Sequence, residues 1–153
     1  MKYHNITKDD MRNGDGLRVV LWVSGCEHHC PGCHNPITWD INCGLDFTEE
    51  TKAELFKELD KPHIDGVTFS GGDPLHTANR DVIAMLIDEI RETYPEKTIW
   101  LYTGYEYEEI STLPLLQGLD VIVTGKYMSD LRDENYEWAG STNQKVIRLR
   151  EEK

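Results

Sequence analysis

The chain has 153 residues, with 28 Asp+Glu against 16 Lys+Arg and a formal charge of −12. A sequence of this length supports one domain with an apolar core and no disulfide or metal staples, and an acidic balance without a Lys/Arg cluster argues against phosphate neutralisation, hence against nucleic acid as a partner. The longest apolar run, Val19 to Val23, is far short of the roughly 20 residues a membrane helix needs.

Residues Met1 to Asn5 lead into no signal-peptide segment, so a cytoplasmic, reducing location is expected, where four cysteines serve as thiols or metal ligands. Gly14-Asp15-Gly16 precedes a strand and reads as a turn. Arg18 to Ser24 is a short β-branched and aromatic run, the pattern of a strand buried on both faces in a parallel sheet. Gly25 then opens a cysteine-bearing loop. Thr48 is an N-cap, with Glu49 and Glu50 in the first turn, for a helix to about Leu59 that places Ala53, Phe56 and Leu59 on one side. Gly66 to Ser70 is a second strand, ended by Gly71-Gly72-Asp73-Pro74. From about Asn79 to Thr93, Val82, Ile83, Leu86, Ile87 and Ile90 recur at helical spacing, with Asp81, Asp88, Glu89, Arg91 and Glu92 toward water. Thr98 to Tyr102 is a third strand that ends at Thr103-Gly104-Tyr105. A weaker helix follows over Tyr107 to Leu116, then a fourth strand over Val121 to Thr124 before Gly125-Lys126-Tyr127, and a last strand near Lys145 to Leu149. Arg148 onward reads as a frayed tail.

This alternation predicts an α/β fold with a mostly parallel sheet, in a single domain over residues 1–153. Parallel strands bring the turns at Gly25-Cys26, Gly71-Gly72-Asp73, Thr103-Gly104-Tyr105 and Gly125-Lys126-Tyr127 to one carboxyl edge, so one site built from all four is expected. The densest chemistry is C-x3-C-x2-C, formed by Cys26, Cys30 and Cys33. Three thiolates within one loop suit an iron-sulfur cube with one iron left without a protein ligand. Zinc is the alternative, with Cys43 or a loop histidine as its fourth ligand. Taken alone, Cys43 reads as an ordinary thiol, and His28 and His29 as solvated loop residues.

C-x3-C-x2-C after the first strand, followed by Ser70-Gly71-Gly72-Asp73-Pro74 after the second, resembles the radical S-adenosylmethionine superfamily. Gly14 to Arg18, Cys30 to Asn35, Tyr102 to Tyr105, Asp120 to Tyr127 and Gly140 to Gln144 narrow the resemblance to the glycyl radical enzyme activases that serve anaerobic ribonucleotide reduction. The resemblance implies a small partial (β/α) barrel and a 4Fe-4S cluster on Cys26, Cys30 and Cys33, with S-adenosylmethionine bound at the open iron. It also implies that Gly71 and Gly72 approach the methionyl group, that Asp73 receives its ammonium, and that Gly32, Cys33 and His34 line the adenine side. Thr103 and Lys126 resemble polar positions that contact the cofactor. Many relatives carry Glu where Asp73 stands, an aromatic residue where Gly32 stands and Asp where Thr124 stands. The implied partners are the large subunit of anaerobic ribonucleoside-triphosphate reductase, which receives a glycyl radical, and an electron donor such as flavodoxin. A small-molecule substrate is the alternative within this chemistry, and a zinc-binding interaction module is the alternative outside it. Asn143 and Gln144 match the family's tail, with no role beyond tying down the last strand.

Overall fold

The computed structural model describes residues 1–25, 44–126, 128–133, 138–139 and 141–149, with Ser129 described by its backbone only. Among these residues the strands are β1 Lys2–Asp10, β2 Arg18–Val23, β3 Leu45–Asp46, β4 Gly66–Gly71, β5 Thr98–Tyr102, β6 Val121–Thr124 and β7 Lys145–Arg148. They form one sheet in the order β3-β1-β2-β4-β5-β6-β7. The four central strands are parallel, with Val20 opposite Thr68, Thr68 opposite Trp100 and Trp100 opposite Val121. The flanks are antiparallel: β1 pairs with β2 and β3 on one side, and β7 pairs with β6 on the other.

Helices α1 Glu49–Leu59, α2 Arg80–Thr93 and α3 Tyr107–Ile110 fall between the parallel strands in sequence. Alternation along the strands sends side chains to two cores. Val19, Leu21, Val23, Phe69, Ile99, Leu101 and Ile122 share one cluster with Leu55 and Leu59 of α1 and Ile83, Leu86, Ile87 and Ile90 of α2. Trp100, Val121 and Val123 form the other, against Tyr102, Trp138, Ala139 and Val146. Each buried Leu or Ile contributes about 1.5–3 kcal/mol of transfer free energy, so the sheet is held chiefly through its helical face.

Several local expectations change. On α1 the buried face is Thr51, Leu55, Glu58 and Leu59, while Ala53 is exposed. Spacings of four and seven residues from Thr51 define that stripe, and Ala53 lies off it. The helix expected over Tyr107 to Leu116 is one short turn, α3, followed by a separate 3-10 turn at Pro114–Gly118. Pro114 lacks the N–H a continuous helix would use, and it forces Leu113 into an extended conformation. Arg91 does not simply face water: it is half-buried, pairs with Asp120 and donates to the carbonyls of Gly118 at 2.7 Å and Lys97 at 3.0 Å. The tail is tied further than expected. Arg148 stands over the Trp100 ring at 5.8 Å and pairs with Asp15 at 3.2 Å, and the Leu149 amide donates to Asp120 at 2.8 Å.

At the amino edge of the sheet, Arg18 is fully buried. Its Nε donates to Thr68 Oγ1 at 2.8 Å, Nη1 to the Asp15 carbonyl and Thr98 Oγ1, and Nη2 to the carbonyls of Val67 and Thr98. Burial pushes its pKa down to about 10, against the pull of Asp120, Asp15 and Asp65, so it stays charged at neutral pH.

Candidate site at the carboxyl edge of the parallel sheet

Three glycines release the chain from the sheet on one side, Gly25 after β2, Gly71 at the end of β4 and Gly125 after β6, with φ of +100, +109 and +99. At Gly71 the need for glycine is twofold. Its φ is open to few other residues, and a Cβ there would lie 2.5 Å from both N and O of Val23. The missing side chain therefore allows β4 to close against β2 just where the turn begins.

That closure is fastened by hydrogen bonds to three successive carbonyls. Gly72 N–H donates to Val23 at 2.8 Å and Asp73 N–H to Gly25 at 2.7 Å. The intervening carbonyl of Ser24 accepts from Asn79 Nδ2 at 2.8 Å, and the same Nδ2 donates to the Asp73 carbonyl at 3.1 Å. Asn79 precedes α2 and is fully buried. The chain thus leaves β2 toward Cys26 from a position fixed on the Gly72-Asp73 turn.

Asp73 is 1% exposed, and its carboxylate is already engaged. It accepts from Leu75 N–H at 2.8 Å, from Gly104 N–H at 3.0 Å, and from Thr103 Oγ1, which lies 2.9 Å from Oδ1 and 3.0 Å from Oδ2. The Thr103 hydroxyl carries one proton, so its donor is spent on Asp73 while its oxygen accepts from Tyr105 N–H at 3.2 Å. Asp73 and Thr103, both expected at the cofactor, here join the ends of β4 and β5.

The end of β6 is bracketed from the tail. Gly125 N–H donates to the Tyr105 carbonyl at 2.9 Å. Gln144 Nε2 donates to the Gly125 carbonyl at 3.2 Å and Asn143 Nδ2 to the Lys126 carbonyl at 2.8 Å. The Gln144 side-chain oxygen accepts from Ser141 N–H at 3.1 Å, which anchors the bracket. Asn143 and Gln144 therefore shape the Gly125-Lys126 turn, a role their place in the sequence did not suggest. Lys126 itself is exposed, and Thr124 beside it is buried. Ser24 Oγ, Asn79 Oδ1, Thr124 Oγ1 and Asn143 Oδ1 are buried without hydrogen-bond partners among the described residues.

Of the residues the sequence singled out, Gly71, Gly72, Asp73, Thr103 and Lys126 all lie at this edge. Cys26, Cys30, Gly32, Cys33, His34, Cys43, His28 and His29 lie outside the described residues. Asn79 was missed as a site residue; its signal was an Asn at a helix start, ordinarily a cap. Among the described residues no helix is long and apolar enough to cross a membrane.

Residues 12–147 match the family described as the 4Fe-4S single cluster domain. The chain is 45% identical to the anaerobic ribonucleoside-triphosphate reductase-activating protein of Enterobacteria phage T4 over 146 residues, 95% of this chain and 93% of that one. It is 41% identical to the protein of the same description from Escherichia coli K12, over 98% of this chain and all of that one. The Vibrio cholerae protein is 40% identical over 97% of this chain and 99% of its own length.

Proposed function

The chain belongs to the anaerobic ribonucleoside-triphosphate reductase-activating proteins and carries their 4Fe-4S domain, and from that footing we propose that it makes a glycyl radical on the reductase by reductive cleavage of S-adenosylmethionine. When bound, the low-potential cluster and S-adenosylmethionine supply a 5'-deoxyadenosyl radical able to take hydrogen from a glycine Cα of the reductase large subunit.

The observation that carries this reading is the fastening of the Val23, Ser24 and Gly25 carbonyls to the Gly72-Asp73 turn and Asn79. It holds the start of the cysteine loop against the glycine turn, as a reaction shared between a cluster and a methionyl group requires. The donor set fits an iron-sulfur cube: three closely spaced thiolates, Cys26, Cys30 and Cys33, would hold the cluster and leave one iron for the cofactor. The edge is also polar enough for the cofactor, with Ser24 Oγ, Asn79 Oδ1 and Thr124 Oγ1 buried there without partners among the described residues.

Roles for the chain's own residues follow. Gly71 and Gly72 would present backbone to the methionyl group, and Asp73, gripped by Thr103 and Gly104, would hold that turn in place. Any ammonium at Asp73 would join a carboxylate that already accepts from Leu75, Thr103 and Gly104 among the described residues. Gly32, Cys33 and His34 would line the adenine side, and Lys126 would bring a cation to the same edge. In this reading the domain is a partial barrel whose open side is closed by the protein substrate, the electron donor is a flavodoxin-like protein, and the reaction runs in the cytoplasm without nucleic acid or membrane.

Electron paramagnetic resonance of anaerobically reduced protein tests the proposal. A 4Fe-4S signal that changes shape on adding S-adenosylmethionine is expected, and Cys30→Ala should lose both the cluster and cofactor cleavage. A colourless protein with about one zinc per chain would overturn the reading in favour of a binding module.

A further inference from the structure

Asn79 behaves unlike an ordinary residue at a helix start. There an Asn side chain usually accepts a hydrogen bond from the first turn, yet Asn79 makes no such bond. Both of its amide hydrogens are instead committed elsewhere, to the Ser24 carbonyl at 2.8 Å and the Asp73 carbonyl at 3.1 Å. Because both partners are carbonyl oxygens, the nitrogen must be the atom that faces them. Its Oδ1 is buried with no partner among the described residues.

The Ser24 carbonyl has special standing. Val23 and Gly25 on either side are held by the backbone of the glycine turn, and Ser24 N–H donates the other way, to Lys2 of β1 at 2.9 Å. Asn79 is thus the side chain that completes the attachment of the β2 end to the turn, two residues before Cys26. We propose that Asn79 is a positioning residue that sets the register between the start of the cysteine loop and the methionyl-binding turn, and so governs how S-adenosylmethionine meets the cluster. The inference rests on the function proposed above.

The test titrates S-adenosylmethionine against reduced, cluster-loaded protein and follows the change in the paramagnetic resonance line shape. Asn79→Ala should keep its iron and sulfide but require about tenfold more S-adenosylmethionine for the same change, the scale typical of outer-shell partners at metal sites. Asn79→Ser, whose hydroxyl can donate to one carbonyl only, should fall between Asn79→Ala and the unmodified chain. Ile87→Val, which trims the core under α2 without touching the turn, should titrate normally and so separates register from general destabilisation. If Asn79→Ala does not fold, Asn79→Ser decides. A normal titration of either variant overturns the inference, and failure of both to fold assigns Asn79 to the fold alone. An unmodified chain with no response to S-adenosylmethionine overturns the proposed function and this inference together, whereas a responding chain whose Asn79 variants respond equally overturns this inference alone.

Discussion

Thr103 and Asp73 show how much the chemistry of a site depends on what its residues are already doing. An ionised carboxylate can accept from several donors at once, and among the described residues Asp73 takes two backbone amides and one hydroxyl. Thr103→Val keeps the side chain's volume but removes the hydroxyl, leaving a buried carboxylate short of a partner. It should cost about 1.5–3 kcal/mol of stability, the range for hydrogen bonds to charged groups. A double-mutant cycle of Thr103→Val with Asp73→Ala, read by urea unfolding, should give a coupling of about 1 kcal/mol or more; independent effects would deny the tie. The pairing was hidden in the sequence because the two residues are 30 positions apart. The sequence nevertheless marked both, since each ends a strand at a polar turn.

At the scale of elements, legibility followed the strength of the local pattern. The start of α1 was readable from Thr48 as an N-cap with Glu49 and Glu50 in the first turn, and the structure adds a reciprocal capping box in which the side chains of Thr48 and Thr51 each bond the other's backbone amide. Thr48→Ala should lower stability by about 1 kcal/mol without changing the fold, measured as a shift in the urea midpoint. By contrast β1 carried no readable period. Of its nine residues only Ile6 is buried, and its register against β2 shifts between Tyr3 and Asn5 and again between Thr7 and Asp10. Such a strand is held by its backbone ladder, with Trp22 Nε1 donating to Thr7 Oγ1 at 3.0 Å as an added side-chain link. Composition has little to report when the backbone supplies the stability.

Across the whole molecule, excess negative charge makes the few well-placed cations important. Glu58 lies on the buried side of α1, where Lys61 approaches at 2.6 Å and Lys8 of β1 at 3.7 Å. The hydrogen bond from Lys61 holds the Glu58 carboxyl below its ordinary range. A carboxylate with a depressed folded-state pKa stabilises the protein above its unfolded pKa, and that contribution fades as pH falls through the folded value. Glu58→Gln should therefore lower stability at neutral pH and flatten its decline on the acid side of the ordinary glutamate range. Chemical denaturation across a pH series checks this, and parallel curves for the two proteins would show that Glu58 is not linked to folding.

From local order alone, the sequence determined the alternation of β2, β4, β5 and β6 with helices, and with it the gathering of four polar turns on one edge. Hydrophobic periodicity and glycine punctuation act between near neighbours, so these features are written where they occur. The family's motifs were equally local. Only the tertiary structure decided that Asn79 holds Ser24, that Asn143 and Gln144 shape the turn at Gly125-Lys126, and that Arg18 carries its charge into the sheet beneath Trp100. A polar side chain has several possible partners of equal chemistry, and which it meets depends on contacts 17 to 80 residues distant. Packing of the two sheet faces brings those segments together, and the hydrogen bonds follow from that packing.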